Sequence, residues 1–412
     1  MGSDARQLQT LCTLIVDCPH STPAWTESGF VVLRNQNIKN GRLDLSAPSF
    51  TDAEHFAHRN QRAKPMAGDL VITREAPMGD VCIIPEGLEC CLGQRQVLLR
   101  PNTALVNPRF LHYALQSSAV QQQIDWNEGT GSTVSNLRIP VLKSLEIPRP
   151  SRDAQEVIAN ALGALDDRID LLRQTNATLE AIAQALFKSW FVNFDPVYAK
   201  AEGRDPEAMD AATAALFPSE FEKSELGLIP KGWSVERLSD LVELTYGKAL
   251  KASDRVAGGI PVYGSGGVTG WHDVALVTEP TIIVGRKGSV GTIYWEDRPC
   301  HPIDTVFFVR PKAMPLTLCL QVLRSLGLEK MNTDAAVPGL NRENAYRLEV
   351  VVASTDVNDA WHEIAEPIYV AMSNNSRRCE GLSQLRDALL PRLISGKLRL
   401  PESVDAAEEA LA

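Results

Sequence analysis

The chain has 412 residues, 44% hydrophobic and 22% charged, an ordinary soluble composition with enough length for two or three domains that bury cores of their own. No apolar run approaches the roughly 20 residues of a membrane span. Residues 1–6 lack the basic-then-apolar pattern of a secretion signal, so a cytoplasmic protein without membrane contact is expected. The net charge of −10 argues at first against a nucleic-acid partner, but it is unevenly spread. Residues 1–150 hold 14 basic and 14 acidic side chains, and residues 231–352 hold 14 and 13. Residues 151–230 hold 7 and 14, and residues 353–412 hold 6 and 10. Two near-neutral stretches therefore remain free to present basic faces to phosphates. The eight cysteines show no CxxC spacing, which predicts reduced, mostly buried thiols and no metal site.

Residues 1–150 read as a mixed, strand-rich domain. Short β-branched runs at 29–33, 69–73, 81–84 and 96–101 alternate with turns such as Asn40-Gly41, and residues 108–118 are expected to form a helix with Phe110, Leu111, Ala114 and Leu115 on one face. A small-residue loop, 128–134, precedes a last strand at 144–147. Ser151 then offers an N-cap, and residues 151–195 carry no proline before Asp195-Pro196 and a single glycine, Gly163. Apolar residues recur at Ile158, Leu162, Leu165, Ile169, Leu172, Leu179, Ala183, Leu186 and Trp190, and with Asn176 the steps alternate four and three. That is a heptad seam, and about 40 helical residues make a rod of roughly 60 Å. Residues 196–232 are a connector and residues 233–352 a second strand-rich domain. A second long helix lies within 353–400, and residues 401–412 form an acidic tail.

The halves repeat. Arg74 to Gly79 aligns with Arg286 to Gly291 at an offset of 212, and Arg100-Pro101 with Arg310-Pro311 at 210. Val134-Ser135-Asn136-Leu137 aligns with Val337-Pro338-Gly339-Leu340 at 203, as does Leu145-Glu146-Ile147 with Leu348-Glu349-Val350. Carrying 203 into the second helix puts a matching seam on Trp361, Ala365, Ile368, Met372, Asn375, Cys379, Leu382, Arg386, Leu389 and Leu393, which Arg386 interrupts. The expected fold is α+β: two strand-rich domains, each followed by a long helix, the helices paired as an antiparallel intramolecular coiled coil with pseudo-twofold symmetry. On that reading Asn176 pins the register at some cost in stability.

Several motifs resemble the specificity (S) subunits of type I restriction-modification systems, and the resemblance covers nearly the whole chain. Residues 169–194, ending Leu-Phe-Lys-Ser-Trp-Phe-Val-Asn-Phe, are similar to the family's central helical region, and residues 385–398 to its distal one. Residues 280–291, 302–305 and 337–341 are similar to its second target-recognition domain, and Gly93-Gln94-Arg95 with the Arg74 loop to its first. The resemblance implies two domains that read the halves of a bipartite, asymmetric double-stranded DNA site, with the helices setting the spacer. It also implies docking of two methyltransferase (M) subunits that bind S-adenosylmethionine and methylate adenine at N6. Restriction (R) subunits, which use ATP and Mg, join through them. The alternatives are a specificity subunit of a methylation-only or other defence system, and a coiled-coil scaffold that binds no DNA.

No catalysis and no bound cofactor are expected in this chain. Asp195-Pro196-Val197-Tyr198 misses an amino-methylation tetrapeptide because Val197 replaces a proline, and it reads as a helix stop. Tyr263-Gly264-Ser265-Gly266-Gly267 lacks the strand, helix and later acid of a dinucleotide loop. The candidate DNA contacts are Arg74, Arg286, Lys287 and Ser289, read as loop tips; Gln94 and Arg95; Thr130, Ser132 and Thr133; Asn341; Ser265; and Lys39 and Lys248. Trp271-His272 either stacks or packs, and packing is the stronger expectation. For subunit docking the candidates are Phe187, Trp190, Phe191 and Phe194, and Leu389, Leu390, Leu393 and Ile394, with an internal core as the competing account.

Overall fold

The computed structural model describes residues 4–75, 77–126, 136–331 and 339–398. The chain forms two compact units, the first of Met1–Leu171 with Arg378–Ala412, the second of Leu172–Arg377. Each unit contains a strand-rich domain together with part of both long helices.

In the first unit, strand Asp4–Gln7 pairs antiparallel with Glu146–Arg149, so the two ends of the domain are tied together. A four-stranded antiparallel sheet follows the order Cys12–Asp17, Gln96–Pro101, Leu70–Thr73, Val81–Ile83. A second sheet places Phe30–Leu33 between Ser49–Thr51 and, in parallel, Cys90–Leu92. The run Leu70–Thr73 is buried at every position, which is why its first three residues are all apolar and do not alternate with polar ones.

The second unit repeats this plan. Ser234–Arg237 pairs with Glu349–Val352. The four-stranded sheet runs Val242–Tyr246, Val306–Pro311, Thr281–Gly285, Ile293–Glu296. Ile260–Gly264 lies between Gly267–His272 and, in parallel, His301–Pro302. The sequence repeat is thus a repeat of topology. The registers agree too: Val97 pairs with Ile72 in the first unit, and Phe307 with Val284 in the second, the positions related by 210 and 212.

The first long helix spans Arg152–Phe187 and continues through a π-helical turn, Lys188–Asn193. It ends where Phe194 adopts a left-handed conformation, φ 59°, and Pro196 stands in the first turn of the next helix, Asp195–Ala201. The Asp-Pro sequence therefore begins a new helix directly after the stop. The second long helix spans Thr355–Ile394. Pro367 lies inside it on an exposed position, where its missing N–H leaves a carbonyl one turn earlier open to water. Seam positions of both helices are buried or half-buried.

Hydrogen bonds link the two helices within each unit. In the first, Cys379 Sγ lies 3.7 Å from Ile169 O, and Arg386 Nη1 donates to Asp166 Oδ1 at 2.8 Å. The residue that interrupts the seam is thereby given an ionic partner. In the second, Asn176 Nδ2 donates to Met372 O at 3.0 Å and Ser376 Oγ at 3.2 Å, and Asn375 Nδ2 donates to Asn176 Oδ1 at 2.9 Å. A polar seam residue is tolerated because both ends of its amide are satisfied.

Asp166 is also where the first domain grips the helix. It accepts from Arg42 Nη2 at 2.8 Å and Tyr113 OH at 2.6 Å in addition to Arg386. Arg109 crosses one turn away, donating to Gly163 O at 3.1 Å and Asp167 at 2.5 Å. A Cβ on Gly163 would sit 2.5 Å from that guanidinium, so a larger residue there would push the Arg109 side chain off this position. Burial works to raise the Asp166 carboxyl, but the hydrogen bonds from Tyr113, Arg42 and Arg386 overcome it and hold the group below the usual carboxylate range.

Removing Asp166 leaves Arg42 and Arg386 with only the more exposed Asp170 and Asp387 as carboxylate partners, so Asp166→Ala is expected to cost about 2 kcal/mol, measured by denaturant unfolding. Its folded pKa is depressed, so its contribution is complete above the unfolded carboxylate pKa of about 4 and is lost as pH falls through the lower folded value. Asp166→Asn should therefore flatten the acid limb of stability against pH. An unchanged acid limb would show that Asp166 is not the coupling group.

Candidate nucleic-acid interface

The candidate contacts in each unit lie where the sheet strands end and loops begin. In the first unit, Arg74 follows strand Leu70–Thr73, but it is not the free loop tip expected from sequence. Its side chain is only 12% exposed. Nη1 donates to Asp17 Oδ2 at 2.6 Å, Nε to Leu137 O at 3.1 Å and Nη2 to Asn136 Oδ1 at 3.3 Å. The carboxylate at the end of Cys12–Asp17, two strands away across the sheet, captures it. Arg95 is left-handed, φ 68°, and more exposed, with Nε 2.9 Å from Glu75 Oε2. The Gln94 amide donates to His20 O at 2.7 Å and Thr22 Oγ1 at 3.1 Å, so its donor side serves the fold. Lys39 is exposed beside the Asn40-Gly41 turn, both residues at positive φ (51° and 76°), as a tight hairpin requires. Thr130, Ser132 and Thr133 lie outside the described residues.

In the second unit, Arg286 follows strand Thr281–Gly285. Its guanidinium lies over the Tyr246 ring at 4.9 Å and the Phe307 ring at 5.9 Å, and donates to Asp304 O at 2.8 Å. It too is half-buried and is not a bare tip. Lys287, Ser289 and Lys248 are exposed. Ser265 Oγ accepts from Ser289 N at 3.4 Å, bringing the glycine hairpin against the Arg286 loop. At their contact Gly288 has φ 82°, and a Cβ there would meet Ser265 Oγ at 3.1 Å. Trp271 and His272 separate. His272 is buried, its Nδ1 accepting from Val256 N at 3.1 Å, whereas Trp271 is 45% exposed. The expectation that the pair packs holds for His272 alone, because successive residues of a strand face opposite ways. Asn341 caps a short helix, accepting from Glu343 N at 2.9 Å and Asn344 N at 3.2 Å, which explains it without any ligand.

Sequence reasoning missed Tyr246 and Arg342. The Arg342 guanidinium lies 5.0 Å from the Tyr246 ring, so the tyrosine has both arginines around it. It also missed Trp25, 49% exposed, with Arg34 over its ring at 5.4 Å. The only signals were Tyr246 two residues before Lys248 and Arg342 beside Asn341. Neither spacing announces a stack across the fold.

The docking candidates are corrected by burial. Phe187, Trp190 and Phe191 are all under a tenth exposed. Phe187, Trp190 and Phe191 surround Trp361 at ring distances of 6.0, 6.2 and 5.7 Å. Phe194 packs on Trp233 at 5.6 Å. In the first unit Leu389, Leu393 and Ile394 are buried and Leu390 half-buried. These side chains fill cores inside the chain. Apolar surface is exposed nearby, at Val192 (50%), Leu226 (49%) and Leu228 (58%). These three border a groove of about 310 Å³ in the second unit, whose floor includes Leu318, Val322 and the buried Asn358. Asn358 Oδ1 has no partner there.

Among the described residues no group of His, Cys, Asp and Glu could hold a metal ion, and no helix is long and apolar enough to cross a membrane.

Residues 19–181 match the family model described as type I restriction modification DNA specificity domain. The chain is similar to the type I restriction enzyme HindI specificity subunit of Haemophilus influenzae, 26% identical over 73% of this chain and 80% of that one. It is also similar to the MjaIX specificity subunit of Methanocaldococcus jannaschii, 25% identical over 81% and 78%. In fold it matches a crystal structure of a type I restriction-modification S subunit from M. genitalium, with TM-score 0.58 and 19% identity over 95% and 96% of the two chains.

Arg74→Ala should lower the stability of the full chain by about 2 kcal/mol, because half-buried Asp17 then keeps only the exposed His20, 3.3 Å away, as a partner. Lys39→Ala should move it by less than about 0.5 kcal/mol. Thermal unfolding distinguishes them, and equal, negligible shifts would mean that Arg74 is not held as a lock.

Proposed function

From its membership of the type I restriction-modification DNA specificity family, we propose that this chain is the sequence-reading subunit of such a complex. One strand-rich domain reads each half of a bipartite, asymmetric duplex. The observation that carries the reading is the duplicated fold, register for register, with different side chains at the same positions. One scaffold used twice with two sets of side chains suits a target whose halves differ. The long helices act as an antiparallel coiled coil with pseudo-twofold symmetry that fixes the spacer. The Asp166 and Asn176 networks support that role, since each binds one helix to the other at a fixed register.

Methyltransferase subunits, carrying S-adenosylmethionine and methylating adenine at N6, dock on this chain, and restriction subunits using ATP and Mg join through them. The chain itself binds no cofactor and catalyses nothing in this scheme. The exposed leucines and Val192 around the second-unit groove are better suited to the methyltransferase contact than the buried aromatics, since only exposed apolar surface gains by association. Lys39, Lys248, Trp271, Lys287 and Ser289 are the expected candidates best exposed for DNA, whereas exposed Arg95 is already paired with Glu75.

The test is methylation sequencing of DNA from cells expressing the chain with its methyltransferase partner. A bipartite methylated motif is expected. An assembled complex that leaves no such motif would exclude the reading in favour of a scaffold. Exchanging residues 1–146 for those of a relative should change one half of the motif alone. Change in both halves would refute one domain per half-site. Leu228→Glu is expected to weaken co-purification of the methyltransferase at least tenfold while thermal unfolding stays unaltered, a 1.4 kcal/mol effect or more. Full retention of the partner would place docking elsewhere.

A further inference from the structure

We propose that the two units hold DNA unequally: the sheet end of the second unit is a phosphate anchor, and the equivalent sheet end of the first is electrostatically locked. This rests on the DNA-reading function above and concerns how its affinity is divided.

Strand register identifies the equivalent positions. Arg74 and Arg286 each follow the third strand of their sheet, and their backbone N–H groups donate to Arg95 O at 2.8 Å and Thr305 O at 2.9 Å. Their carbonyls accept from Leu137 N and Leu340 N, both at 2.8 Å. The next residues, Glu75 and Lys287, make matching bridges to Asn136 and Gly339. On the first strand, Asp17 stands opposite Val97 and Tyr246 opposite Phe307. Four positions therefore correspond: Asp17 with Tyr246, Arg74 with Arg286, Glu75 with Lys287, and Arg95 with Thr305.

The chemistry at these positions differs in one direction. The first unit has two acids and two bases, joined as Arg74–Asp17 at 2.6 Å and Arg95–Glu75 at 2.9 Å. The second has two bases and no acid. A tyrosine replaces the carboxylate facing the arginine, so Arg286 rests on aromatic faces. Among the described residues no carboxylate lies within ion-pairing distance of Arg286 or Lys287. Stacking orients a guanidinium without neutralising it, which leaves its charge available to a phosphodiester. Arg342 adds a further cation at the same ring, loosely paired with exposed Glu343 at 3.4 Å. Lys248 is exposed two residues beyond Tyr246.

Charge that is already paired within the protein releases few counterions when DNA arrives, whereas unpaired charge releases about one per phosphate neutralised. The second unit therefore supplies most of the salt-dependent, sequence-independent binding at these sheet ends. In the first unit Arg74 and Arg95 are already paired within the protein.

The experiment uses the full chain assembled with its methyltransferase partner and a random-sequence duplex, with Kd measured across NaCl concentrations. Arg286→Gln with Lys287→Gln should lower the slope of log K against log salt by roughly two, and Lys287→Gln alone, an exposed position, by roughly one. Glu75→Gln should raise it by roughly one by freeing Arg95. Thermal unfolding of each variant checks that the fold is kept. A slope unchanged by Lys287→Gln, or lowered equally by Arg95→Gln, would overturn the unequal division while leaving DNA reading intact. No salt-dependent binding by the assembled wild-type complex would overturn both.

Discussion

Each unit depends on a polar cluster that clamps a strand-rich domain to the long helices. In the first unit the clamp is ionic, with Asp166 enclosed by Arg42, Arg386 and Tyr113. At the position related by 203 the second unit has Tyr369, which accepts from Gln321 Nε2 at 2.6 Å. Beside it, Glu180 accepts from Arg324 and, at 3.3 Å, from Gln321. A buried ion pair is costly to desolvate and more costly to break, so the clamp contributes geometry more surely than net stability. It draws Arg42, from the hairpin, and Tyr113, from a helix of the domain, onto one carboxylate. That fixes which face of the long helix the domain covers.

The same division between scaffold and side chain runs through the loops at the strand ends. Backbone hydrogen bonds around Arg74 and Arg286 match closely, while the groups facing the two guanidiniums, Asp17 and Tyr246, do not. Duplication preserved what main-chain pairing requires and left side chains free to diverge. Loops at strand ends tolerate such change because they contribute little to the core. That is also where a protein reading two unlike half-sites would need to vary.

Aromatic side chains show how a sequence pattern divides between two uses. Phe187, Trp190, Phe191 and Phe194 lie close together at helical spacing, which is equally good for a core or a docking face. Trp361 and Trp233 decide the matter by covering them. What remains exposed is Val192, on the other side of the same turn, and Leu226 and Leu228 of a hairpin that carries no periodic signal.

The two long helices, the strand-rich domain before each and the repeat were legible in the chain itself, because heptad spacing, β-branched runs and co-linear offsets are local or periodic properties. The sequence also marked Asn176 and Arg386 as breaks in an apolar seam. Folding alone supplied their partners, Asn375 and Met372 for Asn176 and Asp166 for Arg386, from about two hundred positions away. It likewise decided that Arg74 is locked while Arg286 stacks. A guanidinium's role depends on the group that long-range strand pairing sets against it, and no spacing within one segment reveals whether that group is a carboxylate or a ring.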